Sequence, residues 1–172
     1  VKFNINLFNI IILLGIIQGL IFSTIIFLNK KFNKKTNLFL ALTSLTLVTS
    51  NLQYWLEDTK INLLFPYFNY VRVPTEFLII PMFYLFVNQY IERKINYKLI
   101  FFLSIPFLLD FLFQIILSIN LYFYNSKLIS KKIIFNFLVI EEISSFLYSS
   151  FLIIQTILII NKYENENSEF SK

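Results

Sequence analysis

Four carboxylate residues lie within or beside the apolar stretches of this chain, and they are its main candidates for chemistry. Asp110 lies near the middle of one stretch, Glu76 near the start of another, and Glu141 and Glu142 precede a third. A carboxylate inside a bilayer is costly, which makes Asp110 a candidate intramembrane functional acid, as a proton carrier or a cation ligand. The alternative is a structural acid that is hydrated or paired. Glu141 and Glu142 fit an interfacial position, where the N-terminal end of a helix favours negative charge; the alternative is a proton or cation site.

Composition excludes several other kinds of site. The chain has no cysteine and no histidine, which rules out Cys/His metal sites, thiolate nucleophiles and Ser-His-Asp triads within it. The sequence also lacks a P-loop, a G-x-S-x-G motif and an HExxH motif. We therefore predict a protein that is not an enzyme, with no catalytic residue, no cofactor and no metal site.

A second group of residues has the spacing of close helix packing. Gly15 and Gly19 are the only glycines of the chain, Ser23 follows four residues later, and Gln18 lies beside them. Small residues four apart let two helix backbones approach closely. This stripe predicts either a homodimer seam or packing within the chain. We predict the second, with the first helix as the packing centre of four others.

These residues are carried by stretches too apolar for a soluble domain. The 172-residue chain is 57% hydrophobic and 15% charged, against about 45–50% and 25% in soluble domains. Leu7 to Leu28 is uncharged, and as a helix it would measure roughly 33 Å, enough to cross a hydrocarbon core of about 30 Å. We predict an all-α, polytopic membrane helix bundle. About five transmembrane helices are expected in residues 1–160, at 7–28, 36–56, 73–90, 99–120 and 138–160. Residues 161–172 are expected to form a polar tail or linker that is flexible.

Local residue patterns add detail to the predicted spans. Pro81 and Pro106 predict kinks in the third and fourth helices. Arg72 and Glu76 are four apart and are expected to pair on one helical face. The aromatic segment 61–71, with Pro66, Tyr67 and Tyr70, is too short to span and is expected at the membrane interface. A polar face on the second span predicts close packing, or alternatively a ligand-facing wall; it consists of Thr36, Thr43, Thr46, Ser50 and Gln53.

The net charge of +5 comes from basic clusters between the spans, so we predict no nucleic acid contact by this chain itself. Basic residues are concentrated in loops that stay in the cytoplasm. The loops after the first and third spans are the basic ones, with Lys30, Lys31, Lys34, Lys35, Arg93, Lys94 and Lys98. They predict an N-terminus outside and a C-terminus inside. Lys127, Lys131 and Lys132 oppose that orientation.

Four motifs follow one another along the spans: LGIIQG (14–19), NLFLAL (37–42), PTEFLIIPMFYLFV (74–87) and IPFLL (105–109). In this succession the chain resembles the membrane-embedded N-terminal module of bacterial AraC-like transcriptional regulators, in which a multi-helix membrane module precedes a helix-turn-helix domain. The chain has Ile80 and Leu103 where that family often has Gly and His.

The resemblance implies a sensor or anchor in the bacterial cytoplasmic membrane, which acts in signal transduction and transcription regulation. Its partner would be the lipid bilayer, and it would reach DNA only through a C-terminal domain that is missing here. The chain would then be a fragment or a free-standing module. Two alternatives remain: a small transporter, or a fragment of one, that uses Asp110, and an accessory membrane subunit.

Overall fold

The computed structural model describes residues 3–29, 34–64, 72–124 and 129–169. They form five α-helices, namely α1 (Leu7–Leu28), α2 (Lys34–Thr59), α3 (Glu76–Tyr90), α4 (Tyr97–Tyr124) and α5 (Lys131–Glu169). A short 3-10 helix, Ile61–Leu64, follows α2. No strand occurs in these ranges, and the predicted all-α class is confirmed. The basic residues 30–33 and the aromatic segment 65–71 lie outside the described residues.

Three of the helices are long and apolar enough to cross a membrane. They are α1, the segment Tyr97–Asn120 of α4 and the segment Lys132–Glu166 of α5. Large apolar side chains on these helices point outward, with Leu7 75% and Phe146 71% exposed. Such broad apolar surface on several helices is typical of contact with lipid. The other two helices differ, since α3 has 15 residues, about 22 Å, and α2 is richer in polar residues.

Helices α1 and α2 form an antiparallel pair held by polar contacts along its length. Ser23 Oγ donates to the Ala41 carbonyl at 2.9 Å. At the other end, Trp55 Nε1 donates to the Asn9 carbonyl at 2.8 Å. The side chain of Asn6 caps α1 by accepting from the Asn9 N–H at 2.9 Å. A capping residue of this kind satisfies one of the free N–H groups at a helix start.

The packing centre of the bundle is α3, which contacts α2, α4 and α5, whereas α1 packs against α2. This corrects the prediction that α1 is the centre of the bundle. Helices α2, α3, α4 and α5 each contribute one buried residue to the core cluster, in this order: Phe39, Leu85, Leu103 and Leu152. Leu85 of α3 is fully buried. Phe77, Pro81, Val87 and Asn88 of this short helix are buried as well.

The polar face of α2 is used for contacts within its own helix and with the start of α3. Thr43 Oγ1 donates to the Phe39 carbonyl at 2.8 Å, and Thr46 Oγ1 donates to the Thr43 carbonyl at 2.9 Å. Gln53 instead reaches across to Val73, both donating to its carbonyl and accepting from its N–H. Of the residues of this face, Gln53 therefore joins α2 to the segment that precedes α3.

Helix α5 continues through most of the stretch predicted to be a flexible tail. It runs to Glu169, nine residues beyond Ile160, and Lys162 Nζ lies 3.8 Å from Glu166 Oε1. This corrects the prediction for 161–169. Residues 161–169 contain neither glycine nor proline, and extending an existing helix avoids the cost of a new nucleus. Pro81 and Pro106 lie inside α3 and α4, which continue on both sides of them.

Candidate functional site: a buried carboxyl pair

Asp110 of α4 and Glu141 of α5 come together where the two helices face each other. They are 7% and 8% exposed, and both line the same cavity between the two helices. We call Asp110 and Glu141 the carboxyl pair.

Gln114 completes the polar contact between these helices. It lies four residues after Asp110, on the same face of α4, and its Nε2 donates to Glu141 Oε2 at 3.1 Å. One oxygen remains without a partner, since Asp110 Oδ2 is buried and accepts no hydrogen bond from the described residues. A buried oxygen in this state is costly unless a donor reaches it.

An open cavity of about 370 Å³ lies beside the carboxyl pair, between α4 and α5. We call it the α4–α5 cavity. Apart from the pair and Ser144, its lining is apolar and aromatic: Phe77, Pro106, Leu109, Phe113, Phe137, Ile140 and Tyr148. The rings of Phe113 and Phe137 stack with their centroids 3.8 Å apart. Tyr148 donates its hydroxyl to the Leu103 carbonyl at 2.9 Å, which fixes one side of the cavity.

A second cavity, of about 790 Å³, lies between α3 and α5. Glu141 lines both cavities, while Glu142, Arg72 and Glu76 line the α3–α5 cavity and not the α4–α5 cavity. Arg72 Nη2 lies 2.8 Å from Glu76 Oε1, so the predicted pair is confirmed. The two residues do not share a helical face as predicted, because Arg72 precedes the start of α3. Tyr54 donates its hydroxyl to the same Glu76 oxygen at 3.3 Å.

The surroundings of Arg72 favour the charged form of its guanidinium group. Partial burial acts to lower the pKa of the guanidinium, but the nearby Glu76 carboxylate outweighs that effect and raises the pKa of Arg72 above its usual range. Arg72 also acts on Asp110 and Glu141 through space. Its contact partner is nevertheless Glu76. No ion pair among the described residues includes either member of the carboxyl pair.

The structure changes what the sequence predicts for the acidic residues. Asp110 is buried near the middle of α4, but it is paired with Glu141, which was expected at a helix start with Glu142. Both glutamates instead lie about ten residues inside α5, and Glu142 is exposed. Asp110 and Glu141 belong to different helices, so no local pattern links them. The one local signal was Gln114, a second polar residue one helical turn from Asp110.

Within the chain, the small-residue stripe of α1 divides into two parts. Gly19 and Ser23 face α2, where Ser44 Oγ donates to the Gly19 carbonyl at 3.3 Å. Gly15 and Gln18 are exposed, and a Cβ at Gly15 would meet no neighbouring atom within 4 Å. Gly15 and Gln18 were predicted to pack against another helix of the chain, but they do not lie on the face of α1 that contacts α2. The face toward α2 is formed instead by residues spaced three and four apart: Asn9, Ile12, Ile16, Gly19 and Ser23.

Comparison of the chain with family models, with curated proteins and with solved structures gives no match. The functional assignment therefore depends on the geometry of the carboxyl pair and its cavities, together with the succession of sequence motifs.

Proposed function

We propose that this chain is a non-enzymatic membrane module that perceives a signal inside the bilayer and transmits it through α5. The observation that carries this proposal is the position of Glu141 on a continuous helix that ends at Glu169. The distance between these two residues is roughly 42 Å at about 1.5 Å per residue. A rigid helix thus connects the buried polar site to a polar extension, residues 161–169.

In this proposal the site is a two-state element. At the site, α4 and α5 are joined by the hydrogen bond from Gln114 to Glu141, beside Asp110. A cavity lies on either side of Glu141, so there is space for α5 to shift. A ligand or proton that binds one arrangement better than the other would move α5, and a packed helix moves as a unit.

We further propose that the module is the sensor or anchor of a membrane-bound AraC-like transcriptional regulator in the bacterial cytoplasmic membrane. The four sequence motifs support this relationship, and the helical extension of α5 supports a connection to a cytoplasmic domain. In this proposal all five helices cross or enter the bilayer, with kinks at Pro81 and Pro106. The N-terminus lies outside. The exposed Gly15 and Gln18 are available for contact with a second copy.

Reading the DNA that follows the Lys172 codon tests the proposed relationship. We expect a helix-turn-helix coding sequence in frame or immediately adjacent; a stop codon with no regulator coded nearby would contradict it. Reporter fusions test the orientation. A fluorescent protein fused after Lys172 should fluoresce and alkaline phosphatase at the same position should be inactive. A fusion after residue 64 should show the reverse pattern.

Spin-label distances test transmission through α5. Because the chain has no cysteine, Tyr97→Cys and Glu164→Cys introduce two labels, at the start of α4 and the end of α5. Glu141→Leu should shift the distance between them, since it removes the carboxyl pair and the Gln114 contact. Glu142→Leu, the adjacent exposed residue, should leave it unchanged. Identical distances in all three proteins would contradict transmission.

One observation favours a second candidate, a small transporter. Asp110 Oδ2 has no partner among the described residues and Asp110 lines an open cavity, as a residue on an ion pathway would. Proline-interrupted helices near the bilayer midplane are also found in transporters. In vesicles that contain a pH-sensitive dye, an imposed gradient should then drive proton uptake, and Asp110→Asn should abolish it. Equal uptake by both proteins would overturn this candidate.

A further inference from the structure

We propose that the α4–α5 cavity binds a monovalent organic ammonium ion, with Asp110 as its hydrogen-bonding counter-ion. This inference rests on the proposed function only in that the ammonium ion would be the signal that the module perceives. The binding site is defined by the cavity, so ligand binding can be tested independently of the proposed function.

The anionic half of the site is the carboxyl pair. Both members are acidic, and the described residues supply no contacting cation. Asp110 is 7% exposed, lines the cavity, and has an unpartnered buried Oδ2. A buried carboxylate is stable only beside an opposite charge that also donates hydrogen bonds to it. An ammonium N–H would supply both.

The rest of the lining is suited to the organic part of such a ligand. Four aromatic side chains line the cavity: Phe77, Phe113, Phe137 and Tyr148. The faces of aromatic rings attract cations, most strongly when the cation is desolvated. The volume of about 370 Å³ lies in the range of small-molecule pockets, about 300–1,000 Å³. No lysine or arginine is among the lining residues, so the ligand would meet no like charge.

A metal ion is a poorer fit to this site. Hard divalent cations take about six or more oxygen ligands. No group of three or more acidic residues in the described ranges is placed to hold a metal. A proton alone would satisfy the charge but leave the aromatic cavity without an occupant. The larger α3–α5 cavity is also less suitable, because Arg72 lines it and would repel a cation.

Calorimetric titration of the purified full chain in detergent micelles tests the proposal, with benzylammonium as the probe. Benzyl alcohol serves as a neutral probe of similar shape. We expect saturable binding of benzylammonium with one site per chain, and no saturable binding of benzyl alcohol. Asp110→Asn should weaken benzylammonium binding at least tenfold. Glu142→Gln removes an adjacent carboxylate that does not line this cavity, and it should leave the affinity unchanged.

Phe137→Leu provides a second variant that keeps both carboxyl groups. It should weaken benzylammonium binding several-fold, because it removes a ring from the lining. Circular dichroism and gel filtration of each variant establish that it is folded. Equal binding of benzylammonium and benzyl alcohol, equal affinities of wild type and Asp110→Asn, or no binding by the folded wild type would each overturn the proposal.

Failure of this proposal can be distinguished from failure of the proposed function. If benzylammonium binds as expected but leaves the distance between labels at Tyr97→Cys and Glu164→Cys unchanged, the site stands and transmission through α5 fails. If Glu141→Leu shifts that distance but benzylammonium does not bind, transmission stands and the ammonium site is overturned.

Discussion

Gly19 of α1 lies directly against the side chain of Val48 of α2, so closely that a Cβ at residue 19 would overlap Val48 Cγ2. Val48 is buried, and its β-branched side chain has few alternative rotamers in a helix. The hydrogen bond from Ser44 to the Gly19 carbonyl lies beside this contact. Gly19 is therefore the residue that sets how closely α1 approaches α2.

Gly19→Ala should destabilise the protein by about 1–3 kcal/mol, because an added methyl in a closely packed contact forces its neighbours apart. Gly15→Ala is the matched control on the same helix, where a Cβ has open space. That variant should be neutral or gain up to about 1 kcal/mol from helix propensity. Denaturant unfolding in detergent micelles measures both. Equal effects of the two substitutions would contradict the placement of Gly19 against α2.

Gln53→Leu should cost about 1–3 kcal/mol, since it leaves the Val73 N–H without its partner, while the Val73 carbonyl keeps its hydrogen bond from the Thr75 N–H. The Gln53 side chain donates to the Val73 carbonyl at 3.1 Å and accepts from its N–H at 2.7 Å. Asn51→Leu, at an exposed position on the same helix, serves as control and should change stability little. Thermal unfolding followed by circular dichroism compares them. Equal melting temperatures of the two variants would show that the contact between Gln53 and Val73 does not stabilise the protein.

Leu85→Ala should be the most destabilising truncation of a leucine in the core, at about 2–5 kcal/mol, because it opens a space where α3 meets its three neighbours. Leu85 is 0% exposed, whereas Leu147 on the outer face of α5 is 61% exposed. Leu147→Ala should therefore cost much less. Steric-trapping or denaturant measurements on the two variants give the comparison, and a similar loss for both would show that α3 is not the packing centre.

Asn161→Pro should separate the polar extension of α5 from the rest of that helix. Proline removes a backbone donor and clashes with the carbonyl four residues earlier, at a cost of about 3 kcal/mol in a helix interior. A spin label at Glu164→Cys should become more mobile, while the bundle stays assembled. Asn161→Ala should leave label mobility low. High mobility in both proteins would mean that the extension is not a continuation of α5 in solution.

Much of the fold could be predicted because it depends on local properties. Charge-free stretches such as Leu7–Leu28 predict membrane helices by length and composition alone, and the paired residues Arg72 and Glu76 are close in sequence. The extension of α5 does not follow from the sequence in this way, because a polar composition predicts flexibility. Those residues contain no helix breaker, and a helix that is already formed extends into them at little cost.

Only one of the two acidic residues of the candidate site could be identified from the sequence. Asp110 was identifiable as an acid inside an apolar stretch, but its partner Glu141 lies 31 residues away on another helix. Which face of α5 turns toward α4, and how far the helix extends before Ile143, depend on packing around α3. The amino-acid sequence by itself determined that the chain forms apolar helices with an acid among them, since hydropathy and charge are properties of each residue. Only the tertiary structure decided that this acid meets a second carboxyl group beside an aromatic cavity, because that contact depends on how separate helices pack.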